Sequence, residues 1–274
     1  MQKPHEEFLL LLISIFLILG LLAGLLAGML GIGGGVIVVP VLIFIFQFSG
    51  WPAELIPHIA IGTSLAAIVF TSLSAIWAQH KRQAIDWGLV RLLTPATLIG
   101  GFISGYLAGF IPATLLKGFF ALFLILVGIQ FILNWRPAAH WHLPGTKGLW
   151  GAGLGIGSLS ALLGIGGGNI TVPYLHACNL ELKRAIAVST ALGLPIALFG
   201  TAGFILSGWG NALLPPATLG YVSLPALAAI AGASILTAPL GVRLAHSLPV
   251  KKLKQIFGVL VVLIALFMLW NIVN

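Results

Sequence analysis

Long apolar runs follow one another along almost the whole chain, with only short polar interruptions. A membrane-spanning helix needs about 20 mostly apolar residues. The runs predict an all-α polytopic membrane protein with ten apolar helical segments, at 8–30, 33–48, 57–79, 88–110, 113–134, 148–163, 167–179, 186–207, 217–244 and 253–272. Clusters of glycine and proline separate the segments, because both residues destabilise a helix interior.

Two of these interruptions carry nearly the same sequence. Residues 30–40 read LGIGGGVIVVP and residues 163–173 read LGIGGGNITVP, so nine of eleven positions match at an offset of 133. Further on, IAIGTSL at 59–65 resembles IAVSTAL at 186–192. An internal repeat of this kind indicates duplicated structural units. We therefore predict a single membrane domain over 1–274, made of two structural repeats and a short linker, at 8–134, 148–272 and 135–147 respectively.

The composition excludes a soluble protein. Only 7% of the residues are charged and 59% are hydrophobic, whereas soluble domains have about 25% charged residues. The formal net charge of +8 does not indicate a nucleic-acid partner, because the basic residues lie in short loops between apolar runs. The positive-inside rule explains this distribution, with the lipid bilayer as the partner.

The basic residues also predict a topology. Eleven of the thirteen lysines and arginines fall in four regions that we place in the cytoplasm: Lys81, Arg82 and Arg91; Arg136 and Lys147; Lys183 and Arg184; and Arg243, Lys251, Lys252 and Lys254. The linker is then cytoplasmic, and Lys3 and Lys117 lie outside. Each half becomes one glycine-broken helical hairpin plus three transmembrane helices. This odd number inverts the second half relative to the first, as in many secondary transporters.

The segments 148–163 and 167–179 are short for full spans, which favours a re-entrant hairpin in the second half. Whether each hairpin re-enters or crosses stays open.

The glycine-rich breaks are the first candidate substrate site, through Gly33, Gly34 and Gly35 in one half and Gly166, Gly167 and Gly168 in the other. A helix that restarts after a break presents free N–H groups and the positive end of its dipole, which suits an anion. The alternative is close helix packing through small residues.

A second candidate group consists of uncharged polar side chains: Thr63, Ser64, Ser189, Thr190 and Asn169. Hydroxyl and amide groups donate hydrogen bonds to an oxyanion without holding it too tightly for release. Thr71, Ser72 and Ser74 lie further along the first of these segments. The alternative roles are bonding to helix backbone for the hydroxyls and capping of the restarting helix for Asn169.

Ionisable residues offer little within the segments. No Asp or Glu lies in the middle of a span, so no coupling group is identified. Gln79 and His80 end a segment at the cytoplasmic side and are candidates for gating. The chain shows no paired intramembrane carboxylates, no metal-ligand spacing and no nucleophile motif. We expect no enzymatic activity, no cofactor and no metal.

The paired glycine motif, HKRQAIDW at 80–87 and LPPATLGYVSLPAL at 214–227 together resemble the sulfite exporter TauE/SafE (TSUP) family. The resemblance covers about residues 20–272. It implies a transporter of sulfite, sulfonates, thiosulfate or related small anions in a prokaryotic inner (plasma) membrane. It also implies that Gly31–Gly35 and Gly164–Gly168 form the central break, and it gives no role to Cys178.

The resulting hypothesis is a secondary transporter of a small sulfur-containing anion that works by alternating access, with export as the direction that fits the family. A proton or sodium ion for coupling and a second copy in a homodimer are further partners that we consider. The alternatives are an anion channel of the same architecture and an intramembrane enzyme acting on a lipid-linked substrate.

Overall fold

The computed structural model describes residues 3–31, 33–134, 141–247 and 251–273. The first part of the predicted linker, residues 135–140 with Arg136, lies outside the described residues. The described part contains ten helices and a two-stranded hairpin: α1 (Lys3–Leu30), α2 (Gly35–Gln47), α3 (Ile56–Lys81), α4 (Trp87–Ala108), α5 (Ala113–Ile132), α6 (Thr146–Leu162), α7 (Gly168–Ala177), α8 (Leu182–Gly208), β1 (Thr218–Leu219), β2 (Val222–Ser223), α9 (Leu224–Ser247) and α10 (Lys251–Val273).

The helical fold class is confirmed, since each predicted segment corresponds to one helix. Among the described residues, seven helices are long and apolar enough to cross a membrane. One boundary differs. The segment predicted from residue 217 begins with an antiparallel hairpin in which Thr218 pairs with Ser223, and α9 starts only at Leu224. Positive φ angles at Ala217 and Gly220 (59° and 52°) turn the chain there.

Three helices are shorter than a full span. They are α2 with 13 residues, α6 with 17 and α7 with 10. At 1.5 Å per residue, α7 is about 15 Å long, about half the thickness of a hydrocarbon core. Both α2 and α7 begin directly after a glycine-rich break, so both start in the interior of the protein.

Helix packing follows the repeat. Helix α1 packs mainly against α9, and α6, which corresponds to α1 in the second repeat, packs heavily against α4, which corresponds to α9. Helices α3 and α8 correspond to each other and pack together, as do α5 and α10. This exchange of partners is the pattern expected of two repeats that are related by a pseudo-twofold axis.

Small residues allow the closest of these contacts. A Cβ atom on Gly20 of α1 would lie 2.9 Å from Ile230 Cα, and one on Gly24 would lie 2.7 Å from Ser234 Cα. On α6, a Cβ on Gly157 would lie 2.8 Å from Thr97 Cα. The backbone of α1 thus lies close to that of α9, and the backbone of α6 lies close to that of α4, as small-xxx-small motifs allow.

One end of the molecule collects several loops and helix ends. Ile85 before α4, Leu149 at the start of α6, Leu175 near the end of α7 and Ala185 at the start of α8 belong to one buried cluster. The N–H of Trp141 also donates to the carbonyl of Ala177 (3.0 Å). We call this the cationic end because it carries Lys81, Arg82, Lys147, Lys183 and Arg184.

The opposite end is defined by other contacts. His58 at the start of α3 contacts the carbonyl of Ile111 between α4 and α5 through Nε2 (3.0 Å). Its ring also lies 5.1 Å from that of Tyr221 in the β1–β2 turn.

Candidate functional site

The two glycine-rich breaks meet in the interior. A Cβ atom added to Gly33 would lie 2.8 Å from Gly166 Cα, and one added to Gly166 would lie 3.0 Å from Gly33 Cα. Real Cβ atoms do not come this close to another backbone. The sequence therefore brings two stretches of bare backbone, one from each half, into direct contact.

The breaks require glycine for their conformation as well. Gly34 and Gly167 precede α2 and α7 and have φ angles of 78° and 80°. Gly31 and Gly164, at matching positions of the repeat, have φ angles of 69° and 67°. Side-chain-bearing residues rarely adopt this left-handed region.

Each restarting helix begins with backbone donors for which the described part of the chain offers no backbone acceptor. The first backbone bonds run from the N–H groups of Ile37 and Val38 to Gly34, and from those of Ile170 and Thr171 to Gly167. No carbonyl of the described residues accepts the N–H groups that come before them at Gly34, Gly35, Gly167 and Gly168. Such helix starts carry partial positive charge and bind anions readily.

Four of the predicted hydroxyl groups are buried near these breaks and have protein partners. Ser64 donates to the carbonyl of Gly164 (2.8 Å), and Ser189 donates to the carbonyl of Gly31 (3.3 Å). Thr190 donates to Ile186 in its own helix (2.8 Å), and Thr63 accepts from the N–H of Ser223 (2.9 Å). In this conformation, all four hydroxyl groups form hydrogen bonds with backbone groups of the protein. Their role toward a substrate stays a prediction.

A small cavity lies beside the meeting point. Its lining includes Gly31, Gly33 and Gly166 of the breaks, together with Ser72 and Thr190. It offers about 10 Å³ to water-sized spheres, room for about one water molecule. Ser72 is a buried residue that adds a hydroxyl group to this lining.

The second break is more polar than the first. Asn169 Nδ2, Ser160 Oγ and Thr171 Oγ1 are buried without a partner among the described residues. The Ser160 and Thr171 oxygens lie 3.5 and 3.4 Å from the place that a Cβ on Gly167 would occupy. At the offset of 133, Ser160, Asn169 and Thr171 correspond to Ala27, Val36 and Val38 of the first repeat.

Sequence reasoning identified Asn169 but missed Ser160 and Thr171. The signal in the sequence that could have identified a missed residue was the repeat itself. Within the otherwise matching motif, position 38 is valine and position 171 is threonine, so a residue-by-residue comparison of the copies points to an added polar group.

The two gating candidates lie in different surroundings. Gln79 is buried, and its Oε1 atom has no partner among the residues described. His80 is exposed, with its ring 5.7 Å from that of Trp87 in an edge contact. Ser72, Ala75 and Gln79 share one face of α3, at a spacing of three and four residues. Of the two candidates, Gln79 therefore lies on the same face of α3 as the cavity-lining Ser72 and Ala75, and its gating role stays a prediction.

A basic pocket of about 250 Å³ lies at the cationic end. It is lined by Trp77, Ala78, Lys81, Arg82, Pro239 and Arg243. The Lys81 ammonium lies 3.6 Å from the centre of the Trp77 ring, an arrangement typical of a cation–π contact. This concentration of positive charge attracts small anions.

Other reactive side chains have structural surroundings. Both ring nitrogens of His58 contact backbone carbonyls, those of Glu54 (3.1 Å) and Ile111 (3.0 Å). Cys178 is a buried free thiol, and burial raises its pKa, which disfavours the reactive thiolate. No group of three or more His, Cys, Asp or Glu side chains suited to a metal occurs in the described ranges.

Seven potential membrane-crossing helices that surround two buried helix starts define a multi-pass membrane protein of the transporter class. The family model described as "Sulfite exporter TauE/SafE" matches residues 16–268. The chain therefore belongs to the TauE/SafE family.

Similar proteins agree with this membership. A "Probable membrane transporter protein" of Haemophilus influenzae is 35% identical over 258 residues, which cover 93% of this chain and 97% of the relative. A protein of the same description from Methanocaldococcus jannaschii is 31% identical over 275 residues, or 97% of this chain and 98% of the relative. No solved structure matches the chain.

Proposed function

We propose that this protein is a secondary transporter that exports a small sulfur-containing oxyanion, such as sulfite or an organosulfonate, across a prokaryotic inner membrane. The observation that carries the proposal is the meeting, at a buried point, of two helix starts whose first N–H groups have no backbone acceptor among the described residues. Family membership and the relatives' descriptions support a transporter. The family's description supports sulfite.

The chemistry of the meeting point favours an anion. The described groups around it are backbone N–H donors, hydroxyls and one amide, and no carboxylate lines the cavity. Neutral donors stabilise an oxyanion by hydrogen bonds and helix dipoles. Because no fixed positive charge opposes release, such a site suits a carrier, which must bind and let go in each cycle.

The anion binds asymmetrically in this proposal. Close to the start of α7, Asn169 Nδ2, Ser160 Oγ and Thr171 Oγ1 have no partner within the described ranges. The start of α2 has apolar residues at the same repeat positions. Buried donors without partners cost free energy. A bound oxyanion would accept hydrogen bonds from these donors. We therefore place the substrate nearer the start of α7 than the start of α2.

The cationic end faces the cytoplasm in this proposal, and the two halves are inserted in opposite directions. The basic pocket with Lys81 and Arg82 then collects anions, and the buried Gln79 of the same helix is the proposed gating residue. Rocking of one half against the other would open the site alternately to each side. A proton or sodium ion as the coupling ion, and a homodimer, stay expectations of this scheme.

The small cavity supports a carrier over a channel. A channel needs a continuous water-filled route, whereas the space at the glycine tips holds about one water molecule. The enzyme alternative has less support, since membership of a transporter family implies a protein that is not an enzyme.

The test is uptake of radiolabelled sulfite into proteoliposomes of the purified protein, with and without a proton gradient, and with sulfoacetate, thiosulfate and sulfate as competitors. We expect saturable uptake that competitors reduce. The variant Ser160→Ala should raise the half-saturating sulfite concentration. Ser158→Ala is the matched control, because this hydroxyl on the same helix donates instead to the carbonyl of Gly100 (3.3 Å).

Absence of uptake for every sulfur anion, in tight vesicles with correctly inserted protein, would contradict the proposed substrate. Uptake that Ser160→Ala and Ser158→Ala affect equally would contradict the proposed site while leaving the transport function standing. Non-saturating flux that is far above carrier rates would favour the channel.

A further inference from the structure

A third pocket lies between α2 and α10 and shares no lining residue with the small cavity at the glycine-rich breaks. It has a volume of about 330 Å³ and is lined mainly by apolar side chains, among them Val41, Phe44, Leu263 and Phe267. The rings of Phe44 and Phe267 lie 6.0 Å apart in an edge contact across it. We call it the α2–α10 groove.

Three polar side chains line the same groove: Gln47, Lys117 and Asn271. Gln47 is the last residue of α2, Asn271 is near the end of α10 and Lys117 lies in the second turn of α5. All three positions belong to the end of the molecule opposite the cationic end. The groove therefore combines an apolar length with a polar, positively charged mouth.

Lys117 is the unusual member of this set. It is half-buried, and no acidic partner for it occurs among the side chains that the structure describes. A lysine at membrane depth is costly unless it reaches an anionic or polar group. It also departs from the charge distribution of the chain, whose other described basic side chains gather mainly at the cationic end. An anionic ligand at this position would explain both features.

The shape and chemistry of the groove select the class of ligand. A small free anion would satisfy Lys117 but would leave the apolar length of the groove empty. A neutral lipid would fill that length but would bring no net charge to the ammonium group. An anionic phospholipid meets both needs, since its phosphate lies at headgroup depth, where basic side chains attract it, and its acyl chain is apolar.

We propose that the α2–α10 groove is a binding site for one anionic phospholipid of the surrounding bilayer. The phosphate contacts Lys117, with the Gln47 and Asn271 amides as additional donors, and one acyl chain lies between α2 and α10. Because α2 begins directly after the first glycine-rich break, the bound lipid stabilises the position of the helix that starts there.

The test uses the full-length protein in a neutral detergent. Retained lipid is measured by native mass spectrometry and the thermal unfolding midpoint by a fluorescence assay, after addition of phosphatidylglycerol or phosphatidylcholine. We expect phosphatidylglycerol to be retained more and to raise the midpoint more. Lys117→Gln should weaken its binding by about fivefold, the factor that one basic side chain near an anionic surface supplies, and Lys117→Arg should preserve it.

Two control variants separate charge from shape. Lys183→Gln removes an exposed lysine at the other end and should leave the lipid preference unchanged. Leu263→Trp fills the groove without changing any charge and should reduce retention of phosphatidylglycerol. Since Leu263 is 59% exposed, the larger side chain should not prevent folding.

Three results would overturn the proposal. They are equal retention of the two lipids by the unchanged protein, an unaltered preference in Lys117→Gln, and the same stabilisation by inorganic phosphate alone at the same concentration. The last result would mean a free-anion site rather than a lipid site.

Discussion

At the scale of single residues, the glycines of this chain differ greatly in what they tolerate. Gly33 combines a φ angle of 74° with a neighbour, Gly166 Cα, at 2.8 Å from a hypothetical Cβ. Gly151 on α6 has nothing within 4 Å of such an atom. The composition alone, with 35 glycines, does not distinguish these cases. The closeness of the opposite backbone does.

Gly33→Ala should therefore be damaging. The left-handed conformation costs about 1–2 kcal/mol for a residue with a Cβ, and the contact with Gly166 adds to it. We expect a lower thermal unfolding midpoint and loss of sulfite uptake. Gly151→Ala, in an open helical position, should keep both or raise the midpoint slightly. Equal behaviour of the two variants would contradict the close approach of the breaks.

Asn169 provides a prediction in which stability and function change in opposite directions. Asn169→Val gives the second break the residue of the first, and it removes a buried amide whose Nδ2 has no partner among the residues that the structure describes. The midpoint should stay or rise. Sulfite affinity should fall by about ten- to hundredfold, the effect of one lost hydrogen bond to a charged group.

The measurements for Asn169→Val are the half-saturating concentration in proteoliposomes and thermal unfolding in detergent. Asn211→Ser, in the loop after α8, is the control. If Asn169→Val lowers the midpoint and keeps its affinity, Asn169 has only a capping role.

At the scale of elements, α3 and α8 are each tied to the glycine break of the opposite half. Ser64 of α3 bonds the first glycine of the second break, Gly164, and Ser189 of α8 bonds the first glycine of the first break, Gly31. Both bonds hold a glycine carbonyl, but the two serines are not at equivalent positions of the repeat. When IAIGTSL at 59–65 is aligned with IAVSTAL at 186–192, Ser189 falls opposite Gly62. They hold buried carbonyls that no regular helix bond satisfies.

Ser64→Ala should destabilise the protein more than Ser189→Ala. The Ser64 bond is shorter, at 2.8 Å against 3.3 Å, and hydrogen bonds between membrane helices contribute about 0.6 kcal/mol on average and up to about 1.7. We expect a loss within this range for Ser64→Ala and a smaller one for Ser189→Ala. Unfolding in a mixed detergent measures the difference, and the reverse order would contradict the geometry.

At the scale of the whole molecule, the described basic side chains gather mainly at one end and Lys117 lies toward the other. The α7–α8 turn belongs to the cationic end through Leu175 and Ala185. The α2–α3 loop leads to His58, which contacts Ile111 at the opposite end. The equivalent loops of the two predicted repeats thus lie at opposite ends, which supports the proposed inverted insertion.

Cysteine labelling in cells tests this orientation. In a Cys178→Ala background, Ala53→Cys in the α2–α3 loop and Glu181→Cys in the α7–α8 turn each introduce one exposed thiol. Under the proposed orientation, in which the cationic end faces the cytoplasm, a membrane-impermeant maleimide should label the first in intact cells and the second only after permeabilisation. Labelling of both from the same side would contradict the inverted insertion.

Much of this fold was predictable because the backbone of a membrane-spanning segment must form its hydrogen bonds internally, which favours helices. Helix positions depend on local hydropathy and on local breakers such as glycine and proline, so all ten segments were identified. The duplicated motif also identified both breaks and the family. The β1–β2 hairpin was missed because its residues are apolar enough to read as part of α9, while its turn depends on positive φ angles at Ala217 and Gly220.

The sequence by itself thus determined the class of protein, the helices, the repeat and the family, since each depends on residues that are neighbours along the chain. Only the tertiary structure decided that Gly33 meets Gly166, that Ser64 and Ser189 hold the opposite breaks, and that Ser160 and Thr171 lie beside Gly167. It also brought Lys117 to a groove between α2 and α10. These are contacts across long sequence separations, and their geometry depends on how the helices pack.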